Sequence, residues 1–200
     1  MSTFEDAKAK IERATGIWRP AKKDLPAAVR LVRAKTFAFA DAGAIPNNPS
    51  LPLVVYKRAL RFARKFDPAA VIEELFASNG WGDSWRNGIY DFDHFHTKTH
   101  EVLGIAKGRA KVRFGGETGR VLALARGDVI VIPAGTGHMR LSASDDFLVV
   151  GAYPPRASYD ERKNALGTAT KAAIKRVAFP KTDPVYGKRG GILKLWSASR

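Results

Sequence analysis

Between Gly88 and Tyr153 the chain is written in short apolar runs: "GIYDFDHFH", "EVLGIA", "AKVRF", "VLALA", "DVIVIP" and "FLVVGAY". They are separated by "KGR", "GGETG", "RGD", "AGTG" and "SASDD". Runs of this length closed by Gly-, Asp- and Ser-rich segments read as strands joined by tight turns, and their even spacing predicts a sandwich or barrel. Within one of them Ala110, Val112 and Phe114 alternate with Lys111 and Arg113, so that strand has a wet face. A chain of 200 residues favours a single domain with appendages.

The flanks have a different texture. Ser2 and Glu5 suit a capping box ahead of a helix over 2–15, with Phe4, Ala7, Ile11 and Ala14 on one stripe. "WRPAKKDLP" reads as a linker, and "KTFAFA" and "LPLVVYKRAL" as strands around the turn-rich "DAGAIPNNPS". "DPAAVIEELFASNG" predicts a short helix capped by Asp67, opened by Pro68 and followed by Gly80. A further helix is expected near 168–178, and "GILKLW" is expected as a closing strand.

Charge separates these regions. Residues 1–65 carry 14 Lys/Arg against 5 Asp/Glu, residues 156–200 carry 11 against 3, and the middle carries 9 against 11. The net charge of +15 therefore belongs to the flanks. There the lysines interleave with apolar residues, as on the solvated face of an amphipathic helix, so no specific nucleic-acid partner is expected. No apolar run is long enough to span a membrane, and the first residues lack a signal peptide's apolar segment. The expected compartment is the cytoplasm. With no cysteine, disulfides and thiolate metal sites are excluded.

Three of the four histidines fall in "DHFHTKTHE", residues 93–101. Alternate residues of a strand share a face, so His94 and His96 project together, with Tyr90 and Phe92 in the same row. Two imidazoles, a carboxylate within a few residues and a further imidazole make a nitrogen/oxygen ligand set suited to Mn, Fe, Co, Ni or Zn. Periodicity does not decide between His100 and Glu101, because the rows Val102/Gly104 and Leu103/Ile105 are about equally apolar.

The spacing around these histidines resembles the paired motifs of the cupin superfamily. The pattern G-x5-H-x-H-x4-E-x6-G is met by Gly88, His94, His96, Glu101 and Gly108. The pattern G-x5-P-x-G-x2-H-x3-N is met by Gly127, Pro133, Gly135 and His138, with Ser142 in the place of Asn. "IPNNPSLPLVVYKRAL", "NGWGDSWRNGIYDFDHFH", "VVGAYPP" and "TDPVYG" extend the resemblance to the YjlB-type branch of RmlC-like cupins, over roughly residues 35–196.

The resemblance implies an all-β fold, the cupin double-stranded β-helix (jelly-roll) barrel with flanking α-helices. It implies one cupin domain over 35–196 with its motif core at 88–153; the basic helical extension expected over 1–34 lies outside the resemblance. It also implies one divalent transition metal (Fe, Mn, Ni, Co or Zn) held by His94, His96, Glu101 and His138. Tyr90, Phe92 and Arg140 are expected to line a substrate pocket, with a small polar molecule as partner and a homodimer left open. The activity ranked first is a metal-dependent oxygenase or related oxidoreductase. A metal-assisted sugar or keto-acid isomerase or lyase and a non-catalytic binding module are the alternatives. No catalytic residue is named by the sequence.

Overall fold

A computed structural model describes residues 17–164 and 167–198. The expected helix over 2–15 lies outside them. Among the described residues nine strands form two antiparallel sheets: β1 Lys35–Phe37, β2 Leu53–Tyr56, β3 Gly82–Asn87, β4 Glu101–Lys107, β5 Arg109–Phe114, β6 Arg120–Ala125, β7 Val129–Ile132, β8 His138–Ala143 and β9 Leu148–Tyr153. The larger sheet has the order β1-β2-β7-β4-β9-β3 and the smaller β6-β5-β8. Four helices accompany them: α1 Leu25–Ala28, α2 Pro68–Ser78, α3 Thr168–Lys175 and α4 Gly191–Ser197. Antiparallel sheets with few helices match the architecture of a cupin β-sandwich.

β4 is the key strand, because it separates two cores. Leu103 and Ile105 face the smaller sheet and pack with Val112, Phe114 and Leu124. Val102 and Ala106 face the other way, onto Ile72 and Phe76 of α2 and Trp196 of α4. Alternation along the strand therefore continues, but both rows are dry. α2 comes so close that a Cβ on Gly104 would stand 2.7 Å from Ile72 Cγ2, so only glycine fits at this crossing. Each aliphatic side chain fully buried here contributes about 1.5–3 kcal/mol relative to exposure.

α2 forms where its signals place it. Asp67 accepts hydrogen bonds from the Ala69 and Ala70 N–H groups at 3.2 and 3.3 Å, and Pro68 occupies the first turn. Gly127 turns the chain into β7 at φ +89°, and its Cβ would lie 2.4 Å from the Leu60 carbonyl oxygen. The helix expected near 168–178 is α3.

Three local expectations are corrected. "GILKLW" is a helix, α4, not a strand. Ile192 and Trp196, four residues apart, are both fully buried, and the Ile192 N–H is held by Tyr56 Oη at 3.1 Å and Asp183 Oδ2 at 3.2 Å. "WRPAKKDLP" is not an open linker: it contains a 3-10 turn at Lys22–Asp24 that runs into α1, whose Leu25 and Ala28 are buried. "GIYDFDHFH" forms no strand; His94 and Phe95 make single bridges to His138 and Arg162.

One strand had no apolar signal. β3, "GDSWRN", pairs with β9 at the sheet edge, where polar residues face solvent. It is tied down by Trp85, whose ring lies against Gly151, and by Arg86, which forms ion pairs with Asp67 and Glu73.

Candidate metal centre

Glu101 opens β4 in the same row as Leu103 and Ile105, so its side chain enters the space between the sheets. His138 opens β8 on the facing sheet and pairs with Phe114, whose side chain also points inward. The chain of His94 is pinned beside it by reciprocal backbone bonds, His94 N to His138 O at 3.3 Å and His138 N to His94 O at 3.0 Å. His96 O in turn accepts from the Gly135 N–H at 2.7 Å. Loop backbone thus supplies the alignment that a regular strand would give.

One ring nitrogen from each of His94, His96 and His138 lies within 4.8 Å of the others, and all three residues are buried. Nitrogens bound to one ion at about 2.0–2.1 Å can be at most about 4.2 Å apart, so small side-chain rotations suffice to close the set. This cluster could hold a metal ion. Glu101 Oε2 stands 3.3 Å from His96 Nε2 and 3.4 Å from His138 Nε2. Although within ion-pair distance of both, it makes no well-directed hydrogen bond and has no other partner.

The far sides of the rings explain the arrangement. The Nδ1 atoms of His94, His96 and His138 face the backbone carbonyls of Phe92, Asp160 and Thr136 at 3.2, 2.5 and 3.3 Å. A carbonyl only accepts, so each Nδ1 carries the proton and each Nε2 is turned inward, the tautomer a metal-ligating histidine takes. Inward nitrogens around a buried carboxylate suit a positive charge at the centre. Burial and then His138 push His94 down to about 3, so it is neutral near pH 7. Burial works most strongly against the charged form of His96, but Glu101 and Asp160 together move His96 up. Burial likewise opposes ionised Glu101, yet His96 and His138 hold its carboxyl well below the usual range.

The centre opens into a cavity of about 790 Å³. Tyr90 and Arg140 line it. The Tyr90 ring meets His94 at 5.0 Å, and Arg140 donates from Nε to the Ile89 carbonyl at 2.9 Å, with Asp91 3.8 Å from Nη2. Phe92 is not brought to the cavity wall; it stacks on Tyr90 at 4.7 Å, with the Lys163 ammonium over its ring. Three further residues at the wall carry no motif: Trp85, Tyr153 and Tyr159. Tyr153 shares the inward row of β9 with Val149, so alternation could have found it once that strand was placed. Its Oη accepts from Trp85 Nε1 at 3.0 Å, and burial together with nearby Glu101 raises its phenol.

His100 lies on the opposite face of β4. Its Nδ1 accepts the Ala134 N–H at 3.0 Å, its ring rests on Trp196 at 4.8 Å, and burial lowers it to about 4. Asp93 pairs with Arg113. We expect His100→Ala to keep wild-type metal stoichiometry and Glu101→Ala to lose most of the metal, as read by elemental analysis after dialysis. The reverse pattern would mean that His100 is the ligand.

The Cupin family profile matches residues 86–176. Protein YjlB of Bacillus subtilis strain 168 is 40% identical over 164 residues, spanning 81% of this chain and 96% of that one. Solved structures resemble it more distantly. Acireductone dioxygenase from Bacillus anthracis, with cadmium in its active centre, is 18% identical over 44% of this chain and 62% of that one, TM-score 0.32. An oxalate decarboxylase from Bacillus subtilis is 17% identical over 60% and 29%, TM-score 0.35. A facing pair of antiparallel sheets with three histidines gathered between them fits a cupin. The chain belongs to the cupin superfamily, in its YjlB-type branch.

Proposed function

We propose that this chain is a metal-dependent enzyme acting on a small polar molecule, in the first place an oxygenase or related oxidoreductase. The observation that carries the reading is the convergence of His94, His96, His138 and Glu101, whose Oε2 accepts no directed hydrogen bond, on the wall of a roughly 790 Å³ cavity. The accompanying fold reading is a closed jelly-roll barrel over residues 35–196. It is supported by Glu101 and His138, which face each other from different sheets.

Four protein donors leave about two positions free on a six-coordinate ion, where a divalent metal supplies Lewis acidity, oxygen activation or a more acidic bound water. The chain's own residues do the rest. His94, His96 and His138 are fixed in one tautomer by backbone carbonyls, and Glu101 offsets part of the metal's charge. Arg140 is suited to hold an anionic group of the substrate, since its Nε is anchored to Ile89 while the guanidinium remains at the wall. Tyr90, Tyr153 and Tyr159 exclude water from the substrate's flanks.

The test is reconstitution of the metal-free protein with Fe(II) or Zn(II) and incubation with a panel of small carboxylates, sugars and keto acids. Oxygen uptake in proportion to substrate consumed, with Fe(II) only, is the expected result. Turnover with Zn(II) and no oxygen would replace it by an isomerase or lyase. A ligand retained without turnover would make the site a binding module.

No helix of the described residues is long and apolar enough to cross a membrane.

A further inference from the structure

After β9 the chain does not leave the site. Residues 154–164 turn back across the loop that carries His96, and reciprocal backbone bonds of 2.9 Å between Phe95 and Arg162 hold the two segments together. Asp160 clamps the crossing. Its Oδ1 accepts from the Thr97 and Lys98 N–H groups at 2.9 and 3.1 Å, and its Oδ2 from Thr97 Oγ1 at 2.7 Å. The main-chain carbonyl of Asp160 is the acceptor for His96 Nδ1. The next residue back, Tyr159, is half-exposed, sits 5.1 Å from the His96 ring and lines the cavity.

We propose that Asp160 is the positioning residue of the metal centre. Its carboxylate fixes this strap on the 97–98 turn, and the strap then orients His96 and carries Tyr159 over the mouth. The inference rests on the metal-site reading above and adds a residue outside both cupin motifs. The physical argument is reciprocity. If the clamp holds His96 in its ligating orientation, the metal that uses His96 must in return hold the strap closed. Three of the four hydrogen bonds to this carboxylate come from Thr97 and Lys98, one and two residues past His96, and the fourth from Arg162 Nε at 3.3 Å within the strap, so releasing the carboxylate frees both the strap and the loop beneath it. No other described element supplies an acceptor for His96 Nδ1.

Co(II) is the probe, because its visible spectrum reports ligand geometry independently of activity. The metal-free full-length protein is titrated with Co(II), and tryptic cleavage after Arg162 is followed with and without the ion. Asp160→Ala is expected to weaken Co(II) binding roughly 10–100-fold, the loss typical of an outer partner of a metal ligand, and to alter the spectrum. Asp160→Asn should recover to within a few-fold: the amide oxygen still accepts from Thr97 N and Lys98 N, the amide NH2 donates to Thr97 Oγ1, and only the exposed 3.3 Å bond from Arg162 Nε is lost. In the wild type, Co(II) should slow cleavage after Arg162 several-fold. If Asp160→Ala fails to fold, Thr97→Val and the wild-type cleavage experiment carry the test. An Asp160→Ala protein that melts earlier but binds Co(II) with wild-type affinity and spectrum would overturn the proposal, as would cleavage indifferent to Co(II). Failure of the wild type to bind Co(II) at all would instead remove the metal-site reading beneath it.

Discussion

His138→Ala is expected to fold normally and to lose its metal. The residue's backbone bonds to His94 persist in alanine, and its strand is held to β5 by pairing that does not involve the imidazole. What disappears is the only histidine donor supplied by the smaller sheet. His94 and His96 come from the loop paired beside His138 and Glu101 from the larger sheet, so without the His138 ring the ion loses one of its four donors. Loss of a direct ligand should exceed the roughly 10–100-fold penalty for removing an outer partner. Elemental analysis of protein purified without added metal should therefore fall from near stoichiometric to a small residue, with an unchanged far-ultraviolet circular dichroism spectrum. Metal content equal to wild type would sink the site, because no arrangement built on the inward Nε2 atoms survives without this ring.

The spacing of His94, His96, Glu101 and His138 could be read because a metal site needs donors at fixed offsets, whatever the loops between them do. The route by which the chain achieves those offsets could not. His94 and His96 were expected on one strand, whereas single bridges to β8 and to residue 162 align them. Likewise the choice between His100 and Glu101 was undecidable from hydropathy, for a definite reason. β4 is covered on both faces, by the smaller sheet on one and by α2 and α4 on the other, so both rows of the strand are apolar. β3 escaped notice for the opposite reason, since an edge strand facing solvent carries no apolar alternation. Tyr159 and Asp160 sit in a polar stretch whose importance comes from where the chain returns in space, about sixty residues after His96. Local pattern has no access to that distance.

α4 gives the largest expected stability effect. A six-residue apolar run such as "GILKLW" fits a strand or a buried helix equally well on pattern alone. A strand would put Lys194 on the same face as Ile192 and Trp196; the helix sends those two into the core outside β4 and leaves Lys194 exposed. Trp196 is fully buried, donates from Nε1 to the Pro52 carbonyl at 2.9 Å, and stacks near His100 and Phe179. Trp196→Ala should cost about 3–5 kcal/mol, a large share of the 5–15 kcal/mol that holds a typical domain. For a chain of this size that corresponds to a fall in melting temperature of about 6–20 °C. Trp196→Phe keeps much of the apolar contact but leaves the Pro52 oxygen unpaired, so a smaller loss of about 1–3 kcal/mol is expected. Urea unfolding of the metal-free proteins separates the two. Because Trp196 touches the His100 face of β4 and Glu101 points the other way, folded Trp196→Phe should bind metal within a few-fold of wild type. An unchanged unfolding midpoint for Trp196→Ala would mean that α4 lies on the sheet without completing its core. A Trp196→Phe protein that folds but cannot hold metal would mean that the two faces of β4 are not independent.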